Sequence, residues 1–423
     1  MIARQTWNVI QLGAGFFLIF FAFMSESFIQ ELVISTLSEE GNVGQHAGYN
    51  SLAIVYAFFT ACNFLVPPII QKLGAKWSLV CGASTYAAGF LFLNEPFLYI
   101  SSALLGLGAA SSYLDCPRAP ICHLNSTKKS AHLHSGIFWA CAQGCLAFGG
   151  IFLTIVFKLG GSEKINDTMI HTLYGVFTTL TVAGIILLIF LRMPPKQLET
   201  DKEEKLSQLE LLSKIDVKIV LHTSNCFLNV FLTGIYPSMI GFTKQLSSNT
   251  KVIVGLNAIT QGLGQITGGF LFGILGSKTG RFGRDRIVIF GTVLFLFVFV
   301  GIYLTFPSSA PLHSNNDSGI FKPKVATALI CGYLLGLGDS LMNTQIFTFL
   351  ITNYPKQISQ AFSLNKFFQH LCTCFAFFYG ARLNLEIQLL MLVIGAILGC
   401  ICFCLAERSV KANEESRTET NKD

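Results

Sequence analysis

LLGLGDSLMNTQ, residues 334–345, begins as unbroken membrane-grade apolar sequence and then sets Asp339 beside Asn343 and Gln345. An ionised carboxylate deep in a bilayer costs ~2.5–3.5 kcal/mol on insertion scales, so this segment must face protein or water rather than lipid. The letters LLGLG also occur at 104–108, an offset of 230, with Ala109 standing where Asp339 stands in the later copy. CLAF at 145–148 and CFAF at 374–377 keep an offset of 229. The chain therefore reads as built twice, with the acid in one copy only.

Composition supports a membrane reading along the whole length. Of 423 residues 52% are hydrophobic and 12% charged, with mean hydropathy +0.57, whereas soluble domains carry about 25% charged residues. A bilayer asks for about 20 largely apolar residues per helix. The apolar runs divide into twelve such spans, near 8–34, 50–70, 77–93, 97–115, 135–157, 171–191, 217–240, 252–275, 287–306, 325–351, 359–380 and 387–405. Continuous runs of this length exclude a β-barrel, whose strands alternate over ~10 residues. The first run has a basic residue ahead of it, as a signal peptide does, but its length and the lack of an A-x-A site make it a span.

Basic residues set the orientation. With the N-terminus cytoplasmic, 22 of the 29 Lys and Arg fall in inner segments and 7 in outer ones. That bias predicts both termini inside. The net charge of +6 is then a topology signal and does not point to nucleic acid. Two Gly/basic inner hairpins recur, QKLGAKW (71–77) with Lys72 and Lys76, and LGSKTGRFGRDR (275–286) with Lys278, Arg281, Arg284 and Arg286. Between them the polar run PPKQLETDKEEKLSQLE (194–210) links the copies. The expected organisation is a six-helix half (1–191), a cytoplasmic linker (192–214), a second half (215–406) and a polar cytoplasmic tail (407–423).

Sequons at Asn166 and Asn316 fall in the two longest predicted outer loops and are the expected N-glycosylation sites, whereas Asn125 lies inside. No cysteine falls in an outer loop, so no exofacial disulfide is expected. Cys400, Cys402 and Cys404 read as small helix residues in preference to lipidation sites. Cys116 and Cys122, near His123, His132 and His134, match no zinc spacing, so neither a metal nor another cofactor is expected.

Counted inward from the cytoplasmic ends, Asp339 lies about twelve residues deep on the tenth span, with Lys366 about nine and His370 about thirteen deep on the eleventh. Pairing of Asp339 with Lys366 or His370 is the expected offset for the buried charge. Such a pair either locks two helices or exchanges protons during alternating access. Ser340, Thr344, Thr348 and Thr352, and Asn365, Gln369 and Thr373, form i, i+4 polar stripes, expected at helix contacts or along a wet cavity. Glu26 and Glu31 lie toward the outer mouth of the first span; Glu26 is either an interfacial acid or a gate or cation ligand.

Twelve helices in two halves joined by a charged inner loop is the plan of the major facilitator superfamily, in which the first, fourth, seventh and tenth helices line a central cavity. The phrases GYNSLAIVYAFFTACN (48–63), SGIFWACAQ (135–143), RFGRDRIVIFG (281–291) and the opening stretch resemble the Unc-ninety-three-like family, and they are spread over most of the spans. The resemblance implies a facilitator-type fold in a family named for a regulatory subunit of a potassium channel, with other members that escort receptors. Two function classes follow for a protein of the plasma membrane or an endomembrane. One is an auxiliary subunit with a channel or receptor as its partner in the lipid bilayer. The other is a secondary transporter of a small neutral or cationic solute, with Asp339 in its site. An enzyme is not expected, since no nucleophile, phosphate loop or metal motif is present.

Overall fold

In the computed structural model the described residues are 4–39, 41, 43–63, 66–89, 95–113, 131–161, 165–192, 231–279, 283–354 and 358–420. Among them the chain is all-α. The first group of helices is α1 (Arg4–Glu39), α2 (Ala47–Cys62), α3 (Val66–Gly89), α4 (Glu95–Tyr113), α5 (Ala131–Leu159) and α6 (Asp167–Ile189). A π-turn, Phe231–Ile235, leads into α7 (Tyr236–Phe242), and then come α8 (Thr250–Thr279), α9 (Arg284–Thr305), α10 (Val325–Asn353), α11 (Ile358–Gly380) and α12 (Leu385–Thr420).

These sequences form helices because in lipid a helix satisfies every backbone N–H and C=O within one segment. Five described stretches, within α1, α6, α9, α10 and α12, are long and apolar enough to cross a bilayer by length and composition. Burial is arranged for a lipid solvent. On α9 the large side chains Phe290, Val293, Phe297 and Val300 point outward, while Phe295, Phe299 and Ile302 are buried. In water such an outward face would be a large unsatisfied apolar patch.

Both inner hairpins turn at a glycine with positive φ. Gly74 (φ 76) breaks α3 between Lys72 and Lys76, and Gly283 (φ 83) sets the N-cap of α9; a side chain at either φ would be strained. Lys76 lies over the Trp77 ring at 5.4 Å. On α9, Arg284 Nε meets Glu407 of α12 at 3.1 Å, and Lys411 bridges Glu407 and Asp285 at 3.7 and 3.8 Å. α12 continues as helix through these polar residues to Thr420, its first turns beyond the apolar run being tied to α9.

Helices α1 to α6 pack mainly on one another, α1 against α5 and α6, and α4 against α2 and α3. Among the later helices α8 lies on α10, and α9 on α10 and α12. The groups are joined chiefly by α5 with α8 and α2 with α11, and also by α1 with α7 and the π-turn before it. The first is close: a Cβ added at Gly150 would stand 2.6 Å from the Ile259 nitrogen, and one at Gly262 would stand 2.6 Å from the Ala147 nitrogen. The second is aromatic, with Tyr56 and Phe59 of α2 stacked on His370 of α11, Tyr56 stacked on Phe377 as well, and the Tyr49 ring tilted against Phe377. Near the ends of these helices Tyr49 Oη donates to the Pro311 carbonyl at 3.3 Å.

The 307–323 loop is tied down by backbone bonds. Lys244 N–H donates to the Asn315 carbonyl and Asn315 N–H to the Phe242 carbonyl, at 3.1 and 3.0 Å. The linker beyond Arg192, the first part of the expected seventh span, Arg281 and residues 114–130, with Cys116, Cys122, His123 and Asn125, lie outside the described residues, as do the side chains of His132, His134, Lys278 and Gln143.

Candidate functional site

The site is built where α8 and α10 run side by side. Both helices present small residues at the contact, Gly264 and Gly268 on α8 and Gly332 and Gly336 on α10, the spacing that lets membrane helices approach. The approach leaves no room for a side chain: a Cβ at Gly264 would lie 2.1 Å from the Tyr333 carbonyl oxygen, and one at Gly336 would lie 2.1 Å from that of Gln261. At this separation one amide from α8 reaches across. Gln265 Nε2 donates to Asp339 Oδ2 at 3.1 Å. One turn on in α10, Asn343 Nδ2 donates to Asp339 Oδ1 at 2.8 Å and to the Asp339 carbonyl at 3.1 Å.

Asp339 is 9% exposed, and each of its carboxylate oxygens accepts from a neutral amide. The expected direct pairing with Lys366 or His370 is therefore replaced. Lys366 Nζ donates to Gln369 Oε1 at 2.8 Å on its own helix and lies 5.3 Å from the centre of the Phe347 ring of α10. Its charge acts on Asp339 through space without a hydrogen bond between them. His370 is turned toward α2, its ring 3.7 Å from that of Phe59. The physical reason is packing: α10 lies against α8 far more closely than against α11, so an α8 side chain reaches the acid first.

Of the other expected residues, Gln345 is buried on a different face of α10, and Glu26 sits on α1 opposite Tyr174 of α6. In the threonine stripe on α10 the hydroxyls bond within their own helix. Thr344, Thr348 and Thr352 each donate to the carbonyl four residues back, and Thr348 and Thr352 are exposed. Thr373 does the same to Gln369. In the basic hairpins Lys72 and Arg286 are exposed, while Arg284 is taken up by Glu407. Asn166 caps α6, its Oδ1 accepting from Met169 N–H at 2.8 Å; the Asn316 carbonyl accepts from Gln245 Nε2.

Two groups escaped the sequence reading. Gln265 belongs to an i, i+4, i+8 amide line, Asn257, Gln261 and Gln265, and that periodicity was its available signal. The second is a cluster on α1 and α2, of which the sequence reading had named Glu31 but not its partners. Glu31 Oε1 lies 2.9 Å from His46 Nδ1, and Oε2 accepts the Tyr49 N–H at 2.8 Å. Here the carboxylate caps the first turn of α2 from a neighbouring helix, where the helix dipole favours negative charge. Its partners depend on the αL residue His46 (φ 58), which a sequence does not announce.

Comparison with known proteins adds the following. The family model described as ion channel regulatory protein UNC-93 matches residues 39–404. The chain is 33% identical over 436 residues to the UNC93-like protein MFSD11 of Xenopus laevis, covering 96% of each. It is 22% identical over 450 residues to the human protein unc-93 homolog A, covering 96% of this chain and 93% of that one. Among solved structures it resembles the Escherichia coli fucose:proton symporter FucP, with TM-score 0.61 and 13% identity over 95% of this chain and 98% of that one. That likeness speaks to the fold alone, a facilitator-type helical bundle.

Proposed function

The chain belongs to the ion channel regulatory protein UNC-93 family, and from that membership we propose that it is an auxiliary subunit regulating a membrane channel, of the potassium type for which the family is named. In this reading it crosses the bilayer twelve times with both termini in the cytoplasm. Two six-helix halves, 1–191 and 215–406, flank the 192–214 linker. The observation that carries it is the family match from residue 39 to 404, which spans nearly the whole helical bundle. The geometry at Asp339 supports it. A carboxylate with both oxygens held by amides of its own chain works as a clamp between α8 and α10, and it gives a regulator a rigid body to present to a partner.

The test is co-purification from native membranes in mild detergent with quantitative mass spectrometry, followed by current recordings. A pore-forming subunit recovered at near-equal stoichiometry, whose current changes when this chain is co-expressed, is the expected result. A clean monomer and an unchanged current overturn it. A second reading is secondary transport of a small neutral or cationic solute. It is favoured by the α5–α8 and α2–α11 contacts between the two groups of helices and by Asp339 and Lys366 held close inside the bilayer without touching. Solute uptake abolished by Asp339→Asn in folded protein would select it.

A further inference from the structure

Four acids are buried in the described helices, and Glu31 and Glu407 have basic partners; the other two, Asp339 and Glu26, differ in their hydrogen bonds, and the contrast assigns them different protonation states. At Asp339 two N–H donors point at the carboxylate oxygens. Donors match an ionised, acceptor-only carboxylate. Glu26, 7% exposed on α1, receives no hydrogen bond from any described residue. Beside it lies an acceptor that lacks a donor, together with serine hydroxyls that can donate or accept. One turn on, on the same face, Gln30 has its Nε2 committed to Ser51 Oγ at 2.7 Å, which leaves its buried Oε1 with no donor. Ser27 Oγ, next in the chain, is also buried without a partner.

We infer that Glu26 is a proton-binding site in the bilayer: its side chain is held as the neutral acid, and its O–H has the Gln30 amide oxygen as its acceptor. Residues four apart on a helix have Cβ atoms about 5–6 Å from each other, within reach of a Glu–Gln side-chain bond. A single proton then satisfies two groups at once. It removes an unpaired charge from the bilayer, and it supplies the donor that Gln30 Oε1 lacks.

The charged and titratable groups facing this region fit the assignment. On α6 the nearest is Tyr174, a phenol within electrostatic range. From α3, Tyr86 packs on Phe20 and Phe23, further down α1. On α1 itself Glu31 is turned to α2 and matched by His46. No Lys, Arg or His among the described residues forms an ion pair with Glu26, so the proton is the compensating cation the structure leaves for it. The inference stands whether the protein regulates or transports, and it places the exchangeable proton on α1 and leaves Asp339 as a fixed charge.

Infrared spectroscopy of the purified protein in lipid nanodiscs tests this, because a protonated carboxylic acid has a carbonyl stretch well separated from the carboxylate bands. At neutral pH the wild type should show that band. Glu26→Gln should remove it, while Asp339→Asn and Glu31→Gln should leave it. Gln30→Leu, which keeps the acid and removes its acceptor, should shift the band to the frequency of a less strongly hydrogen-bonded acid, and this variant decides the matter if Glu26→Gln does not fold. No band in the wild type, a band lost with Asp339→Asn, or one unmoved by Gln30→Leu would overturn the assignment.

Discussion

Gly264→Ala is the sharpest perturbation the structure offers, because the added methyl group would meet backbone that cannot rotate away. Its Cβ would lie 2.1 Å from the Tyr333 carbonyl oxygen and 2.8 Å from the Leu337 nitrogen, and ordinary contact begins at 3.4 Å. Relief requires α8 and α10 to part by about 1.3 Å at this point, the gap between 2.1 and 3.4 Å. Gln265 is the next residue, and the same displacement stretches its 3.1 Å bond to Asp339 past 4 Å, beyond hydrogen-bonding range. Overpacking costs about 1–3 kcal/mol, and a lost hydrogen bond to a charged group about 1.5–3 kcal/mol. A loss of about 3 kcal/mol or more is therefore expected in thermal unfolding of the detergent-solubilised protein. Gly175→Ala, with nothing within 4 Å of the new methyl, is the control and should be near neutral. Asp339→Asn should destabilise less in the Gly264→Ala background than in the wild type, since the shared bond is already broken. Equal stability of the two alanine variants, or strict additivity with Asp339→Asn, would refute the claim that glycine packing sets the Asp339 site.

Two further outcomes follow from contacts elsewhere. Glu31→Ala strips the buried acceptor from the Tyr49 N–H and the partner from His46, and should cost about 3 kcal/mol in the same unfolding assay, with Glu31→Gln recovering part of it through its remaining amide oxygen. Asn166→Gln should remove one of two glycosidase-sensitive mobility increments, the other being lost with Asn316→Gln, and should remove the α6 cap, at about 1 kcal/mol, whereas Asn166→Asp should lose the glycan and keep the cap. A mobility shift left unchanged by both Asn166 substitutions would place residue 166 away from the glycosylated face.

The helices were readable because membrane spans are written in uninterrupted apolar runs. The tenth and eleventh, expected at 325–351 and 359–380, are α10 at Val325–Asn353 and α11 at Ile358–Gly380. The glycine turn at 74 was readable for a similar reason, since a lone glycine between Lys72 and Lys76 marks a reversal, whereas 275–286 holds three glycines and the sequence did not single out Gly283. Partner choice was not. Depth along a helix can be counted, and depth alone suggested Lys366 and His370 for Asp339; angular position and helix–helix distance, which chose Gln265, depend on which glycines interlock. The threonine stripe left its role open for a local reason: hydroxyls in a helix can bond their own turn, as Thr344, Thr348 and Thr352 do, so periodic polarity need not mean a contact.

By itself the sequence determined that the chain lives in a bilayer, where most of the described helices begin and end to within about five residues, and that one acid is set deep in the tenth; the end of α2 at 62, the start of α3 at 66 and the end of α12 at 420 fall 8, 11 and 15 residues from the expected bounds. These are one-dimensional properties, set by the thickness of the hydrocarbon layer and the cost of charge within it. Tertiary structure alone decided that Asp339 is clamped by amides from α8 and its own helix, that His370 lies in an aromatic stack against α2, and that Glu31 caps a helix other than its own. The reason is that hydrogen bonds act over about 3 Å, and such distances between residues far apart in the chain exist only once the helices have packed.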